Sequence, residues 1–164
     1  MDVSVIIVSY NTAAATVECL KSVEAAKGSK KIVVVDNAST DQSAHNIRQL
    51  FPDIQLMVNE RNRGFAAANN QALPLCRGRC IIYLNPDTIV KPDAIGKAVA
   101  FMDRHPNIGL AGAKILNPDG SLQESVSRRY PGEKFTRGET DGLAGNIACV
   151  LGAFMIARKS LLDE

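Results

Sequence analysis

Asn85 and Asp87 close the short apolar run Cys80-Ile81-Ile82-Tyr83-Leu84, with Pro86 between them and Thr88 behind. Pro86 cannot donate to a ladder, so the run reads as a buried strand that ends by delivering polar side chains to the edge of a sheet. Residues two apart in extended backbone point the same way, which would set the Asn85 amide oxygen beside the Asp87 carboxylate for a hard divalent cation. The same stretch also suits a strand-to-helix turn in which Asp87 or Thr88 is a cap, and both readings stand at this point. Asp36 poses a similar choice. It ends a second apolar run, Lys31-Ile-Val-Val-Val-Asp36, and is either a ligand contact, at the strand end where open α/β sheets place their ligands, or a turn former. Arg61, Asn62, Arg63 and Gly64 stand before a third site of interest, a helix start whose N–H groups attract anions. Asn69, one turn into that helix, is either a buried amide satisfied by backbone or one that faces a ligand.

These side chains need a sheet to hold them, and the sequence supplies one. Val3-Ser-Val-Ile-Ile-Val-Ser9 is apolar almost throughout, as a parallel strand covered on both faces should be. Tyr10-Asn11-Thr12 then opens a helix with Cys19, Leu20 and Val23 on one face and Gly28 at its end. The turn between them holds no glycine, which excludes a Gly-rich phosphate cradle at its usual place. After Asp36, Ser39 and Gln42 have capping-box spacing before a helix whose apolar face is Ile47, Leu50 and Phe51. A third strand covers 54–59. Phe65, Ala68, Ala72 and Leu75 then mark a small-residue helix packed closely on a sheet. Beyond the central strand, Lys91-Pro92-Asp93 starts a helix with Ile95, Ala98, Val99 and Met102 on one side, ended by His105-Pro106. A short strand is expected over 108–113, and Asn117-Pro-Asp-Gly-Ser121 predicts a hairpin turn. Glu124 to Gly145 reads as a long mobile surface loop. Ile147 to Ala157 reads as one apolar strand with a kink or a close backbone approach at Gly152, and Arg158 onward as the start of a helix. The predicted class is α/β, a Rossmann-like, mostly parallel sheet flanked by helices, with a small hairpin and a long loop near the C-terminal end.

With 164 residues, 46% of them hydrophobic, one domain over 1–164 with its own core is expected. A net charge of +2, with its basic pairs scattered, gives no field for nucleic acid, so no nucleic-acid partner is expected. Cys19, Cys76, Cys80 and Cys149 lack metal spacing and fit buried free thiols in a reducing compartment. His45 and His105 have no partner in sequence and read as exposed or capping. No apolar run reaches the ~18 residues that span a bilayer, and no signal peptide precedes the first strand. The expected location is cytoplasmic, at the inner face of the membrane for the full-length protein.

Taken together, Val3 to Asn11, Val33 to Asp41, Asn62 to Asn69, Tyr83-Leu-Asn85-Pro-Asp87-Thr and Gly152-Ala-Phe-Met resemble the family 2 glycosyltransferases, in order along essentially the whole chain. The Leu-Asn-Pro-Asp-Thr form is most similar to the rhamnosyltransferase-like branch. The resemblance implies an inverting enzyme of the GT-A fold, using a nucleotide-diphosphate sugar donor and a saccharide or lipid-linked saccharide acceptor. Carried over by position, it implies that Ser9, Tyr10, Asn11 and Asp36 hold the nucleoside, with Asp36 accepting from the base. Arg63, Gly64 and Asn69 lie along the nucleotide and sugar. Asp87 binds Mg²⁺ or Mn²⁺ at the diphosphate, with Asn85 beside it in place of the commoner first acid. An amide is the weaker, neutral ligand, so metal affinity without nucleotide is expected to be low. The family's catalytic base is an aspartate after the Gly152 region, expected here beyond Glu164, so the catalytic residue is unknown and the chain reads as truncated at its C-terminal end. Binding without transfer is the expectation. A strand at 148–157 left poorly covered by that truncation would expose apolar surface, so a homo-oligomer is expected. Two other classes compete: a non-catalytic nucleotide-sugar-binding module, and a nucleotidyltransferase, which should carry a glycine-rich basic loop after the first strand and does not.

Overall fold

The first strand lies between the second and the fourth, which places the ends of all three side by side. A computed structural model of the chain describes residues 2–123, 126–127, 149–150 and 152–162. In chain order these form β1 (Val3–Ser9), α1 (Ala13–Ala25), β2 (Lys30–Asp36), α2 (Ser43–Leu50), β3 (Gln55–Val58), α3 (Phe65–Ala72) and β4 (Cys80–Leu84). There follow α4 (Ala94–Arg104), β5 (Leu110–Gly112), β6 (Ile115–Leu116), β7 (Leu122–Gln123), β8 (Val126–Ser127), β9 (Cys149–Val150), β10 (Phe154–Arg158) and α5 (Lys159–Leu162). Six strands make one sheet in the order β3-β2-β1-β4-β10-β5. The first four are parallel, and β10 runs antiparallel to both neighbours.

The alternation of side chains along β1 and β2 builds two cores. Val3, Val5 and Ile7 join Ile32 and Val34 under α1, α2 and α4, where Leu20, Val23, Ile47, Ile95 and Met102 are buried. Ile6, Val33, Val35 and Ile81 face the other way and are covered by Ala68 and Ala72 of α3 and by Cys76. Both faces of the parallel half are therefore closed, which is why β1 reads as a continuous apolar run. Each fully buried Val, Ile or Leu contributes about 1.5–3 kcal/mol to the fold. Alanines on α3 let it approach the sheet closely, leaving its N-terminus at the carboxyl edge of the strands.

Several expectations are corrected. The stretch expected to be one kinked strand is two strands in separate sheets: β9 pairs with β8, and β10 lies in the main sheet after a turn at Gly152-Ala153. Nor is β10 poorly covered. It has a strand on each edge, and Phe154, Ile156 and Ala157 are buried, so the apolar surface that led us to expect self-association is not exposed there. Leu50, expected on the apolar face of α2, is 56% exposed, because the eight-residue helix turns that position to solvent. Phe65 is likewise half-exposed, while Ala68 and Ala72 bury fully. The hairpin forms as predicted, with Gly120 at φ +84° in its turn. Apart from β8, the segment expected to be a long mobile loop lies outside the described residues. Cys19, Cys76 and Cys80 are buried free thiols. Among the described residues, no helix is long and apolar enough to cross a membrane.

Candidate functional site

At the carboxyl edge, the turns after β1 and β2 are stitched together by short polar side chains. The Asn11 N–H donates to Ser39 Oγ at 2.9 Å, and the Thr40 N–H donates to Asn11 Oδ1 at 2.8 Å. Asp41 bridges the two helices these turns begin: Ser43 N–H donates to its Oδ1 at 2.9 Å, and Ala13 N–H to its Oδ2 at 3.0 Å. The Ser43 hydroxyl adds a further bond, and these partners hold the Asp41 carboxyl below its ordinary range. The capping box expected between Ser39 and Gln42 does not form, because the Ser39 hydroxyl is engaged by Asn11 and Gln42 makes no side-chain cap. Asn11 at φ 53° and Ala38 at φ 69° take left-handed backbone. An Asn tolerates that well, whereas for an alanine it costs about 1–2 kcal/mol. The stitching offsets that cost and makes the sharp turn that follows Asp36.

Asp36 lies opposite Ser9 across β1 and β2 and is completely buried. Its Oδ1 accepts the Ser39 N–H at 2.9 Å. Its Oδ2 is buried without a hydrogen-bond partner. A buried carboxylate oxygen left unmatched costs on the order of 1–3 kcal/mol or more, so it marks a place where a donor is wanted. Ser9 is less available than its position suggests: its hydroxyl sits 3.1 Å from the Thr12 hydroxyl and 3.0 Å from that of Thr16, in a buried cluster. Tyr10 is 48% exposed at the rim.

Gly64 caps α3 at φ +80°, backbone that only glycine adopts freely, and a Cβ there would meet no atom within 4 Å. No side chain caps the helix, so its first N–H groups face open space beside the exposed Arg61 and Arg63. Asn69, whose two readings were left open, is buried and donates from Nδ2 to the Phe65 carbonyl at 2.9 Å. That bond is the backbone-satisfied arrangement for its NH₂ group.

The expected metal position is built differently from its sequence reading. The strand stops at Leu84, and the Thr88 N–H closes a turn on the Asn85 carbonyl at 3.2 Å, with Pro86 and Asp87 at its corner. Asn85 and Asp87 are therefore not aligned by extended backbone. Proline fixes φ for the second position of such a turn and bends the chain there, but the expected cap does not form, since α4 begins only at Ala94 after Asp93. Asp87 is exposed, and its carboxylate has no hydrogen-bond or ion-pair partner among the described residues. The Ala153 carbonyl anchors the turn by accepting from the Asn85 N–H and the Thr88 hydroxyl. No group of three potential ligands among the His, Cys, Asp and Glu of the described residues could hold a metal. One free carboxylate on a firm turn fits Mg²⁺ or Mn²⁺ that takes its remaining oxygens from phosphates and water.

The structure thus brings Ser9, Tyr10, Asn11, Asp36, Arg63, Gly64, Asn85 and Asp87 to one edge. A cavity of about 260 Å³ lies at the opposite, amino-terminal edge, lined by Asp2, Arg79, Asp103, Ile95 and Val99. Its polar groups satisfy each other, with the Arg79 guanidinium bonded to both Asp2 and Asp103. Sequence reasoning passed over Asn37, which is 2% exposed and bonded across to the loop before α3. The available signal was an amide in a turn where most polar residues are exposed.

The chain matches the model described as Glycosyl transferase family 2 over residues 4–164. It is 32% identical over 116 residues to the succinoglycan biosynthesis protein ExoO of Rhizobium meliloti, covering 70% of this chain and 32% of that protein. It is 28% identical over 171 residues to the poly(ribitol-phosphate) beta-N-acetylglucosaminyltransferase TarS of Staphylococcus aureus, covering 100% of this chain and 29% of TarS. Among solved structures, the mannosyltransferase PcManGT of Pyrobaculum calidifontis, in complex with GDP-Man and Mn²⁺, superposes with a TM-score of 0.71 at 23% identity, over 98% of this chain and 45% of that one. Residues 1–349 of S. aureus TarS in complex with UDP-GlcNAc give 0.68 at 23%, over 99% of this chain and 47% of that one. The fold is thus that of the GT-A glycosyltransferases, and the chain spans less than half the length of these relatives.

Proposed function

Since this chain belongs to glycosyl transferase family 2, we propose that residues 1–164 are the donor-binding portion of an enzyme that moves a sugar, with inversion, from a nucleotide-diphosphate sugar to an acceptor hydroxyl. The observation that carries this reading is the unpartnered, fully buried Oδ2 of Asp36 at the end of β2. It suits an N–H of a nucleobase seated over the Ser9–Asn11 turn. From there a diphosphate would run toward the uncapped N-terminus of α3 and Arg63, where N–H groups and positive charge favour an anion. Asp87 stands free across the same edge. A divalent cation shared by Asp87 and the donor's phosphates would supply charge stabilisation to the leaving diphosphate. Asn85 adds a neutral oxygen at most, so the cation and the nucleotide should bind together.

The acceptor is proposed to be a saccharide or a lipid-linked saccharide, reached at the inner face of a membrane by the full-length protein. We assign the general base to no residue described here. General-base catalysis is worth ~10²–10⁴ in rate, so these residues should bind donor while transferring little or nothing. Titration calorimetry with uridine, thymidine, guanosine and adenosine diphosphates, each with and without Mn²⁺, tests the reading. Binding that depends on both base and Mn²⁺ is expected, and no binding of any nucleotide would overturn it. Efficient transfer by residues 1–164 alone would overturn the placement of the base.

A further inference from the structure

Asn37 follows Asp36 directly, yet its side chain faces the other half of the site. Its Nδ2 donates to Asn62 Oδ1 at 2.7 Å and reaches the Gly64 carbonyl at 3.4 Å. Its Oδ1 accepts the Arg63 N–H and the Asn59 Nδ2, each at 3.0 Å. The network continues outward, with Gln71 Nε2 donating to Asn59 Oδ1 and the Gly64 N–H to Asn62 Oδ1, both at 2.8 Å. Two backbone groups fix which end of the amide faces where: the Arg63 N–H can only donate, and the Gly64 carbonyl can only accept. A carboxylate could not serve the second, and an aliphatic side chain of the same shape could serve neither. Nearly every bond leads to the 59–64 loop, none of whose described residues after Asn59 is buried. One buried amide therefore holds an exposed loop.

We propose that Asn37 is a positioning residue which sets Arg63, Gly64 and the N-terminus of α3 in a phosphate-binding arrangement, while its neighbour Asp36 reads the base. The inference rests on the proposed donor site and adds a division of labour within it. A merely structural role would lower the affinity of every ligand together. A positioning role lowers only the increment that the phosphates add.

The test compares a nucleoside with its diphosphate, in the presence of Mn²⁺, by competitive displacement, using wild type, Asn37→Asp and Asn62→Ala. Thermal melting reports folding in parallel. Asn37→Asp keeps the shape and both acceptor contacts but cannot donate to Asn62 or Gly64. Asn62→Ala removes the oxygen that accepts from both Asn37 Nδ2 and the Gly64 N–H, so it carries the test should the first variant fail to fold. Loss of diphosphate affinity by about tenfold or more, with nucleoside affinity unchanged within about twofold, is expected. Equal loss for both ligands, or no loss for either, overturns the role of Asn37 while leaving the donor site standing. Failure of the wild type to bind both ligands instead overturns the donor site itself.

Discussion

The Ala153 carbonyl accepts the Asn85 N–H at 3.1 Å, tying the turn before β10 to the turn after β4. Asp87 gains a fixed base from that bond without becoming engaged itself, since the bonds fall on Asn85 and Thr88. A lone carboxylate on an anchored corner is a poor metal site by itself and a serviceable one when phosphates complete the shell.

Replacing Asp87 with Asn should therefore abolish the Mn²⁺ dependence of nucleotide binding, because no charged ligand remains at the turn. Folding should be untouched, as the side chain makes no hydrogen bond or ion pair among the described residues. Calorimetry with and without Mn²⁺ checks this, and an unchanged metal effect in the variant would contradict it.

Asp36→Asn should retain the acceptor for the Ser39 N–H and replace the unpartnered oxygen with a donor. Where a base N–H meets that oxygen, the change should cost about 1.5–3 kcal/mol of nucleotide affinity and erode preference among bases. The metal requirement should persist. Affinities for the four nucleoside diphosphates in each protein provide the comparison.

Gly78→Ala tests the opposite edge. A Cβ there would lie 2.4 Å from both the Ser4 nitrogen and the Val3 carbonyl carbon, backbone atoms that cannot swing aside. The adjoining segment is held tightly, since the Arg77 and Gly78 N–H groups both donate to Ser4 Oγ. Urea denaturation should show a loss of about 1–3 kcal/mol. Nucleotide affinity of the folded variant should not change, because the proposed donor site lies at the other end of the strands.

Burial, the largest influence on its titration, pushes the Cys19 thiol up from an ordinary 9.0 to about 12. Cys76, Cys80 and Tyr83 move in the same direction for the same reason. Below pH 9.0 the thiols are protonated whether the chain is folded or not, so nothing is lost there. Above it the unfolded thiols release protons that the folded ones keep, which favours unfolding. The melting temperature should fall as pH rises from about 9 toward 12, and thiol reagents at pH 8 should leave Cys19 unmodified until the protein is denatured. A melting temperature that rises over this interval would contradict the assignment.

Much of this could be read from residues alone. The β-branched runs of β1, β2 and β4 announced buried parallel strands, and Cys19, Leu20 and Val23 marked the inner face of α1. Asp36, Gly64 and Asp87 stood out as candidates because each lies at or just beyond the boundary of an element. The place of β10 was not, because apolar periodicity says that a strand is buried and leaves its neighbours and direction open. Asn-Pro-Asp-Thr was read both as a ligand pair and as a strand-to-helix turn; the turn forms, but the helix after it begins only at Ala94, so neither Asp87 nor Thr88 caps it. Ser39 and Gln42 had the spacing of a cap, but Asn11, remote in sequence, competed for the hydroxyl. Asn37 was hidden for a related reason: its partners lie beyond α2 and β3, and only the closed sheet brings them near.

The antiparallel insertion of β10 also sets an order of assembly. β1, β2, β3 and β4 all lie within the first 84 residues and pair only with one another on the parallel side, so this half can form as soon as residue 84 is free. Leu84 then waits for Phe154, and the loop that closes between them spans most of the second half of the chain. During synthesis, the strand-end edge around Asp36 can thus take shape well before Ala153 emerges to hold the Asn85 turn.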